Sequence, residues 1–143
     1  MDVLVAHGSA GFRRALVQDL TGQGYDVVEV CDGPAALDVL LESDSPRVAV
    51  LDWDLPGIDG PEICRLVRRY RLAKPPYLVL LAAGRDSTEA TAGLEAGAND
   101  CLPTPVSGTE LRACIHAGRC FVEPPREQPD RLQRAADPTV AAV

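Results

Sequence analysis

The sequence predicts an α/β protein with a doubly wound parallel sheet of five strands and five helices, and three observations lead to this fold class. Short apolar runs alternate with segments of helical periodicity along most of the chain. Two of these runs, Arg47–Leu51 and Tyr77–Ala82, are almost wholly apolar, as is typical of strands buried on both faces of a parallel sheet. The 143 residues suffice for one core and are too few for two.

The first half of the chain contains two strand–helix pairs and a third strand. Val3–Ala6 is an apolar run too short for a helix, and apolar residues at 12, 16 and 20 then recur at helical spacing until Gly22. Tyr25–Val30 is rich in β-forming residues, and a turn with Pro34 at the first helical position leads into a helix over Ala35–Leu41. The third strand, at 47–51, runs directly into Asp52.

The second half continues the alternation. Pro61 opens a helix whose apolar face we assign to Ile63, Leu66, Val67 and Tyr70, and the strand at 77–82 follows.

The last elements are a helix, a strand and a helix. Ser87–Ala96 is predicted as a helix closed by Gly97, and Asp100–Pro103 as a short strand. A capping box at 107–110 starts the final helix. Its predicted core face contains Leu111, Cys114, Ile115, Gly118 and either Phe121 or Val122, whereas His116 is expected to face solvent.

This order of elements defines the domain organisation. Right-handed crossovers place helices on both faces of the sheet, which predicts a flavodoxin-like fold with strand order 2-1-3-4-5. Residues 1–122 form this domain. Residues 123–143 contain Pro124, Pro125 and Pro129, which exclude a continuous helix, and we interpret them as a flexible C-terminal tail.

Composition and charge narrow the function classes. A net charge of −7 repels nucleic-acid phosphate, so we expect no nucleic-acid binding. The five cysteines lack a C-x-x-C pair and metal-like spacing, as is typical of cytosolic thiols. No apolar run reaches membrane-spanning length, and we expect a cytoplasmic protein without a membrane partner.

Three sequence stretches resemble the response-regulator receiver domains of bacterial two-component systems (the CheY-like superfamily). They are LDWDLPGIDGPEIC at 51–64, LLAAGRDS at 80–87 and GLEAGANDCLPTP at 93–105. The resemblance spans 1 to about 122. It implies that Asp52 takes the position of the phosphate acceptor, at the strand ends where open α/β sheets place their chemistry.

The resemblance also identifies what the acceptor site lacks. Receivers surround the acceptor with an acidic pair that holds Mg²⁺, a hydroxyl, a lysine and an aromatic switch residue. Here the corresponding positions hold His7, Gly8, Ala82, Thr104 and Cys101. One carboxylate with a backbone carbonyl, such as that of Asp54, makes a poor Mg²⁺ cage, so we expect metal binding to be weak or absent and phosphotransfer to be slow.

The residues leave several alternatives open. His7 pairs with Asp52 as an imidazolium that imitates a neutralised acceptor, or it is an ordinary loop histidine. Cys101 is a redox sensor or, as we favour, an inert small hydrophobic residue. The segment Gly8–Gly11 could cradle a phosphate, although it lacks a complete G-x-G-x-x-G motif. A hydrolase based on Ser9 has no G-x-S-x-G motif to support it.

We therefore expect a pseudo-receiver that acts as a protein-interaction module of a phosphorelay and is not an enzyme. The resemblance implies signalling partners, such as a histidine kinase or an output-domain protein, on the face formed by helix four, strand five and helix five, and it also allows a homodimer. One alternative is a conventional receiver phosphorylated on Asp52, with Asp54 or Asp100 as makeshift metal ligands. A second is a nucleotide or flavin binder. The ending Asp137-Pro138-Thr139-Val140 resembles the linker of receiver–diguanylate cyclase regulators.

Overall fold

The computed structural model describes residues 2–82 and 87–123 of the chain. They form one parallel sheet with strand order 2-1-3-4-5, as the sequence predicts. The strands are β1 (Val3–Ala6), β2 (Val27–Val30), β3 (Val48–Asp52), β4 (Tyr77–Ala82) and β5 (Asp100–Pro103). The helices are α1 (Ala10–Gly22), α2 (Gly33–Leu40), α3 (Gly60–Arg69), α4 (Ser87–Ala96) and α5 (Gly108–Val122).

Parallel pairing brings the strand ends together at one edge of the sheet. Ala6 of β1 is in register with Leu51 of β3, and Asp52 is in register with Leu81 of β4. Ala82, which ends β4, is in register with Pro103 of β5. The residues that follow each strand therefore meet at this edge, which is where the candidate site lies.

The core has two halves, one on each face of the sheet. One half packs side chains of α2, α3 and α4 against the sheet around Leu51 and Leu80. The other packs α1 and α5 around Val50 and Val79. The central strand β3 is inaccessible to solvent from Val48 to Leu51, which explains its continuous apolar sequence.

Short polar side chains start four of the helices. Ser9, Asp32, Asp59 and Ser107 each accept a hydrogen bond from the backbone N–H three residues later. These N-caps satisfy otherwise unpaired donors and explain why α2 begins before its predicted start. The predicted start of α5 at Ser107 is confirmed, since the Ser107 hydroxyl accepts from the Glu110 N–H at 3.0 Å.

Two expectations about local structure are wrong at element ends, and one alternative is decided. The predicted β2 begins too early, because the Tyr25 N–H donates to the Leu20 carbonyl and still belongs to the end of α1. Tyr70 is 62% exposed, since it caps the C-terminus of α3 instead of lying on its buried face. Of the two residues expected as alternatives at the end of the α5 core face, Val122 is half-buried, whereas Phe121 is 71% exposed and contacts Tyr77 edge-on.

Arg68 on α3 ties the helix to the start of β4 and to the turn before β5. Its guanidinium donates to the carbonyls of Gly97 (2.9 Å) and Pro76 (3.0 Å) and to Oδ1 of Asn99 (2.7 Å). Gly97 has φ +119°, a backbone conformation that favours glycine at the end of α4. This cluster is structural and lies away from the site edge.

Helix α5 ends at Val122. The predicted domain boundary after residue 122 stays a prediction. The predicted flexibility of the tail and the linker-like segment at 137–140 lie outside the described residues, so both stay predictions. Within residues 2–82 and 87–123, no helix is both long and apolar enough to cross a membrane.

Candidate functional site at the carboxyl edge of the sheet

Asp52 occupies the centre of the site edge. It ends the buried strand β3 between β1 and β4, and its side chain is 19% exposed. A carboxylate at this place is held by a rigid strand while its oxygens reach solvent. The position predicted for a phosphate acceptor is therefore accessible to a small phosphodonor.

His7 lies beside Asp52, as one of the two sequence interpretations requires. Its Nε2 is 3.7 Å from Oδ2 of Asp52, and its ring stacks on Phe12 at a centroid distance of 4.2 Å. The N–H of Ser9 donates to Nδ1 of His7 at 2.9 Å. Nδ1 must therefore be an acceptor, which places the proton of the neutral ring on Nε2, towards Asp52.

The surroundings of His7 oppose a charged imidazolium. Burial lowers the pKa of His7 below its ordinary value of 6.5, and the Arg13 guanidinium lowers it as well, whereas the Asp52 carboxylate raises it. Together these effects lower the pKa of His7. The hypothesis of a permanently charged imidazolium that neutralises Asp52 is therefore not supported at neutral pH, although the predicted contact is present.

Arg13 is a site residue that the sequence interpretation missed. Its Nη1 donates to the carbonyl oxygen of His7 at 2.7 Å, and its Nε lies 3.5 Å from Oε1 of Glu29. Arg13 thereby fixes the loop after β1 from the first turns of α1. No spacing motif in the sequence marks it, because the contact depends on how α1 packs over the sheet.

Gly8 contributes no ligand atom from a side chain, yet the space beside it is open. A Cβ built there would meet only Cδ of Pro56, at 4.0 Å, and its φ is not left-handed. The structure therefore has space for a carboxylate side chain at this position, and only the sequence lacks one.

Among the described residues, neither Ala82 nor Thr104 directs a hydroxyl or a cation at Asp52 from the other side of the site. Ala82 is buried and carries only a methyl group. Thr104 turns towards the end of β4, where its N–H and its hydroxyl both donate to the Ala82 carbonyl, at 2.7 and 3.0 Å. The following peptide bond, Thr104–Pro105, is cis. Thr104 thus closes the end of the β4–β5 pair.

Trp53 and Cys101 pack together beneath α4. A Cβ built on Gly93 of α4 would lie 3.3 Å from Cζ3 of Trp53, 3.2 Å from Sγ of Cys101 and 3.1 Å from Cδ1 of Leu80. Burial raises the pKa of Cys101, and the charges of Asp100 and Glu89 raise it further. A neutral, packed thiol favours the interpretation of Cys101 as a small hydrophobic residue over that of a redox sensor.

Asp54 and Asp100, the proposed makeshift metal ligands, lie in different places. Asp54 is exposed in the loop after Asp52. Asp100 begins β5, two strands from β3, and it accepts hydrogen bonds from its neighbour's N–H and from Sγ of Cys114 on α5, the latter at 3.3 Å. Among residues 2–82 and 87–123, no three histidine, cysteine or acidic side chains are grouped so that they could hold a metal ion.

Two backbone N–H groups at the start of α1 already have partners within the chain. The Ser9 N–H is already directed at His7, and the Phe12 N–H donates to the Ser9 hydroxyl. Ser9 therefore acts as the N-cap of α1, which leaves neither the nucleotide-binding nor the hydrolase alternative with support from the geometry.

Comparison with known proteins agrees with this architecture. The family model described as the response regulator receiver domain matches residues 3–116. The transcriptional regulatory protein AfsQ1 of Streptomyces coelicolor is 39% identical over 115 residues, which are 80% of this chain and 49% of AfsQ1. The response regulator MprA of Mycobacterium avium is 40% identical over 118 residues, 82% of this chain and 50% of MprA.

The comparison with solved structures supports the fold. The structure of the Francisella response regulator 1452 receiver domain superposes with a TM-score of 0.78, at 24% identity, over 85% of this chain and 98% of that one. The doubly wound sheet and the carboxylate at the end of its central strand fit the family whose model matches residues 3–116. This chain belongs to the response regulator receiver domain family.

The family assignment confirms the predicted resemblance to receiver domains. The matching region is one part of longer relatives. The chain spans about half the length of the curated relatives named above, at 49% and 50%. The degenerate acceptor site and the link to diguanylate cyclase regulators stay predictions.

Proposed function

We propose that this domain transmits a two-component signal by binding proteins, with phosphorylation of Asp52 weak or absent. One observation carries the proposal: around Asp52, the positions where receivers keep their charged and hydroxyl groups hold a neutral imidazole, a glycine, a methyl group and a threonine turned away. Phosphoryl transfer depends on cations and donors placed where negative charge develops. Without them the reaction loses several kcal/mol of stabilisation, roughly a thousandfold in rate or more.

The packing beneath α4 supports a fixed conformation. Receivers respond to a phosphate through a hydroxyl and an aromatic side chain, and this chain has Ala82 and Cys101 at those positions. The Trp53 ring and the Cys101 thiol fill the space under Gly93 within about van der Waals distance of a built Cβ. A packed cluster of this kind gives a ligand no second arrangement to favour.

The proposed binding surface is formed by α4, β5 and α5. Leu94 is 49% exposed there, an apolar side chain that a partner could cover. A histidine kinase, an output-domain protein or a second copy of the chain fits this role. Such partners are cytoplasmic, so we propose that location for the domain as well.

A second candidate, a conventional receiver phosphorylated on Asp52, is favoured by the relatives. AfsQ1 is described as a transcriptional regulatory protein and MprA as a response regulator. Asp52 is accessible, and exposed Asp54 follows it in the same loop. In this candidate Asp54 and water would complete a weak Mg²⁺ site.

Trp53, the single tryptophan of the chain, reports on the site. We expect its fluorescence to be unchanged by Mg²⁺ and beryllofluoride, and mass spectrometry after treatment with a small phosphodonor to show no added phosphate. The Asp52→Asn variant is the control, since it removes the acceptor and keeps the size of the side chain. Saturable quenching, together with a phosphate adduct that Asp52→Asn lacks, would restore the conventional receiver.

A further inference from the structure

Helix α5 carries a histidine and a cysteine side by side on its outer surface. Sγ of Cys120 lies 3.8 Å from Nε2 of His116, one helical turn earlier. The opposite face of α5 is buried through Leu111, Ile115 and Gly118, so the pair points away from the core. His116 is exposed and Cys120 is partly exposed, which leaves both accessible to solvent.

The distance between Sγ of Cys120 and Nε2 of His116 matches that between two ligand atoms of one metal ion. Zinc binds cysteine sulfur at about 2.3 Å and histidine nitrogen at about 2.0 to 2.1 Å, so a tetrahedral angle places the two ligand atoms roughly 3.6 Å apart. The observed 3.8 Å is within a few tenths of an ångström of that value. Side chains at i and i+4 of a helix share one face, so the backbone already holds the pair in register.

Within residues 2–82 and 87–123, one chain groups no third histidine, cysteine or acidic side chain with this pair. The sequence contains two histidines, and the other, His7, lies at the carboxyl edge beside Asp52. Cys64 and Cys101 belong to the opposite half of the core, and Cys114 is bonded to Asp100. Cys31 follows β2, at the edge of the sheet far from β5. A structural zinc site needs four ligands, so two more must come from elsewhere.

The surface around the pair suits a second copy. Ala113 and Ala117 are exposed next to His116, and such small side chains let two helices approach closely. A two-fold axis beside α5 would duplicate the same pair and complete four ligands. A net charge of −7 on each chain opposes association without a cation.

We propose that two copies of this chain share one zinc-like transition-metal ion through His116 and Cys120 of each, and that this ion joins them across α5. Each Cys120 thiol releases its proton to solvent on binding, and each His116 coordinates through Nε2. Two thiolates balance the charge of the divalent ion. The inference rests on α5 alone and does not depend on phosphorylation of Asp52.

Sedimentation velocity of the fully reduced chain during titration with Zn²⁺ tests the proposal. We expect a monomer to become a dimer at half an equivalent of Zn²⁺ per chain and to return to a monomer with a chelator. Replacing Zn²⁺ by Co²⁺ should give a thiolate-to-cobalt absorption band together with the spectrum of a tetrahedral ion. Cys120→Ser and His116→Ala should each abolish the dimer and the band.

Matched controls separate this site from others. Cys31→Ser removes another exposed thiol and should leave metal-dependent dimerisation unchanged, as should His7→Ala at the Asp52 site. Three outcomes would overturn the proposal: binding of one Zn²⁺ per chain without dimerisation, a dimer that persists in Cys120→Ser, or a dimer reversed by reductant but not by chelator. Failure here leaves the proposal on Asp52 unaffected, because His116 and Cys120 lie outside that site.

Discussion

Restoring the acidic pair should restore magnesium binding. The double variant His7→Asp/Gly8→Asp places two carboxylates beside Asp52, and the structure has room for them, since a Cβ on Gly8 would meet nothing closer than Pro56 at 4.0 Å. Without a cation the added charges repel Asp52, and each exposed like-charge pair costs up to about 1 kcal/mol. With three carboxylates at one edge, Mg²⁺ gains the oxygen ligands that it prefers.

The expected magnitude follows from linkage between binding and folding. At a Mg²⁺ concentration of about 100 times Kd, binding to the native state adds about 2.7 kcal/mol to the free energy of unfolding. For a domain of this size, 1 kcal/mol changes the melting temperature by roughly 4 °C, so the variant should gain about 10 °C. The wild-type melting temperature should change by less than about 2 °C over the same titration.

Thermal unfolding followed by circular dichroism measures both proteins, and His7→Asn/Gly8→Asn controls for side-chain size without charge. A wild-type protein that gains as much stability from Mg²⁺ as the acidic variant would refute the reasoning. So would a folded acidic variant with no response, since the missing carboxylates would then not be the cause of weak binding.

Three further predictions concern packing and protonation. Gly118→Ala should lower the free energy of unfolding in urea by about 1 to 3 kcal/mol, because its Cβ would lie 2.4 Å from the Tyr77 ring, whereas Gly108→Ala, with nothing within 4 Å, should change it little. Because burial lowers the pKa of His7, the native state binds fewer protons than the unfolded state near neutral pH. The free energy of unfolding should therefore fall as the pH drops below about 6.5, and it should fall less in the His7→Gln variant. Equal pH dependence of the two proteins in urea titrations would contradict this. Arg68→Ala removes three hydrogen bonds and should lower the free energy of unfolding by about 2 kcal/mol. Amide hydrogen exchange should accelerate first at the start of β4. An unchanged midpoint of urea unfolding would show that these hydrogen bonds are not needed for stability.

The fold followed from the sequence because local and global signals agree. The bounds of β4, α4 and β5 were predicted to the residue, since apolar runs, glycines and prolines mark them clearly. The error at Tyr70 arises because this residue continues an apolar period beyond the point where the helix leaves the sheet. Periodicity shows which face a residue takes, but it does not show where the neighbouring layer ends.

The candidate site was predictable in its positions and less so in its charges. The strand ends identified which residues meet Asp52, and His7 is indeed 3.7 Å from it. The charge state of His7 was not predictable, because its pKa depends on burial in the folded loop and on Arg13, which only the folded chain brings near. The spacing of His116 and Cys120 was visible in the sequence, but a helical H-x-x-x-C pair becomes meaningful only when both side chains are known to face outwards.

The two halves of the core have an evolutionary consequence. Three of the positions around Asp52, namely His7, Gly8 and Thr104, lie outside both halves, whereas Ala82 is buried and Cys101 packs against the half around Leu51. The scaffold can therefore accumulate substitutions at its reactive edge with little loss of folding stability. A lineage of such domains could lose phosphotransfer and gain protein binding through single substitutions, while each intermediate still folds.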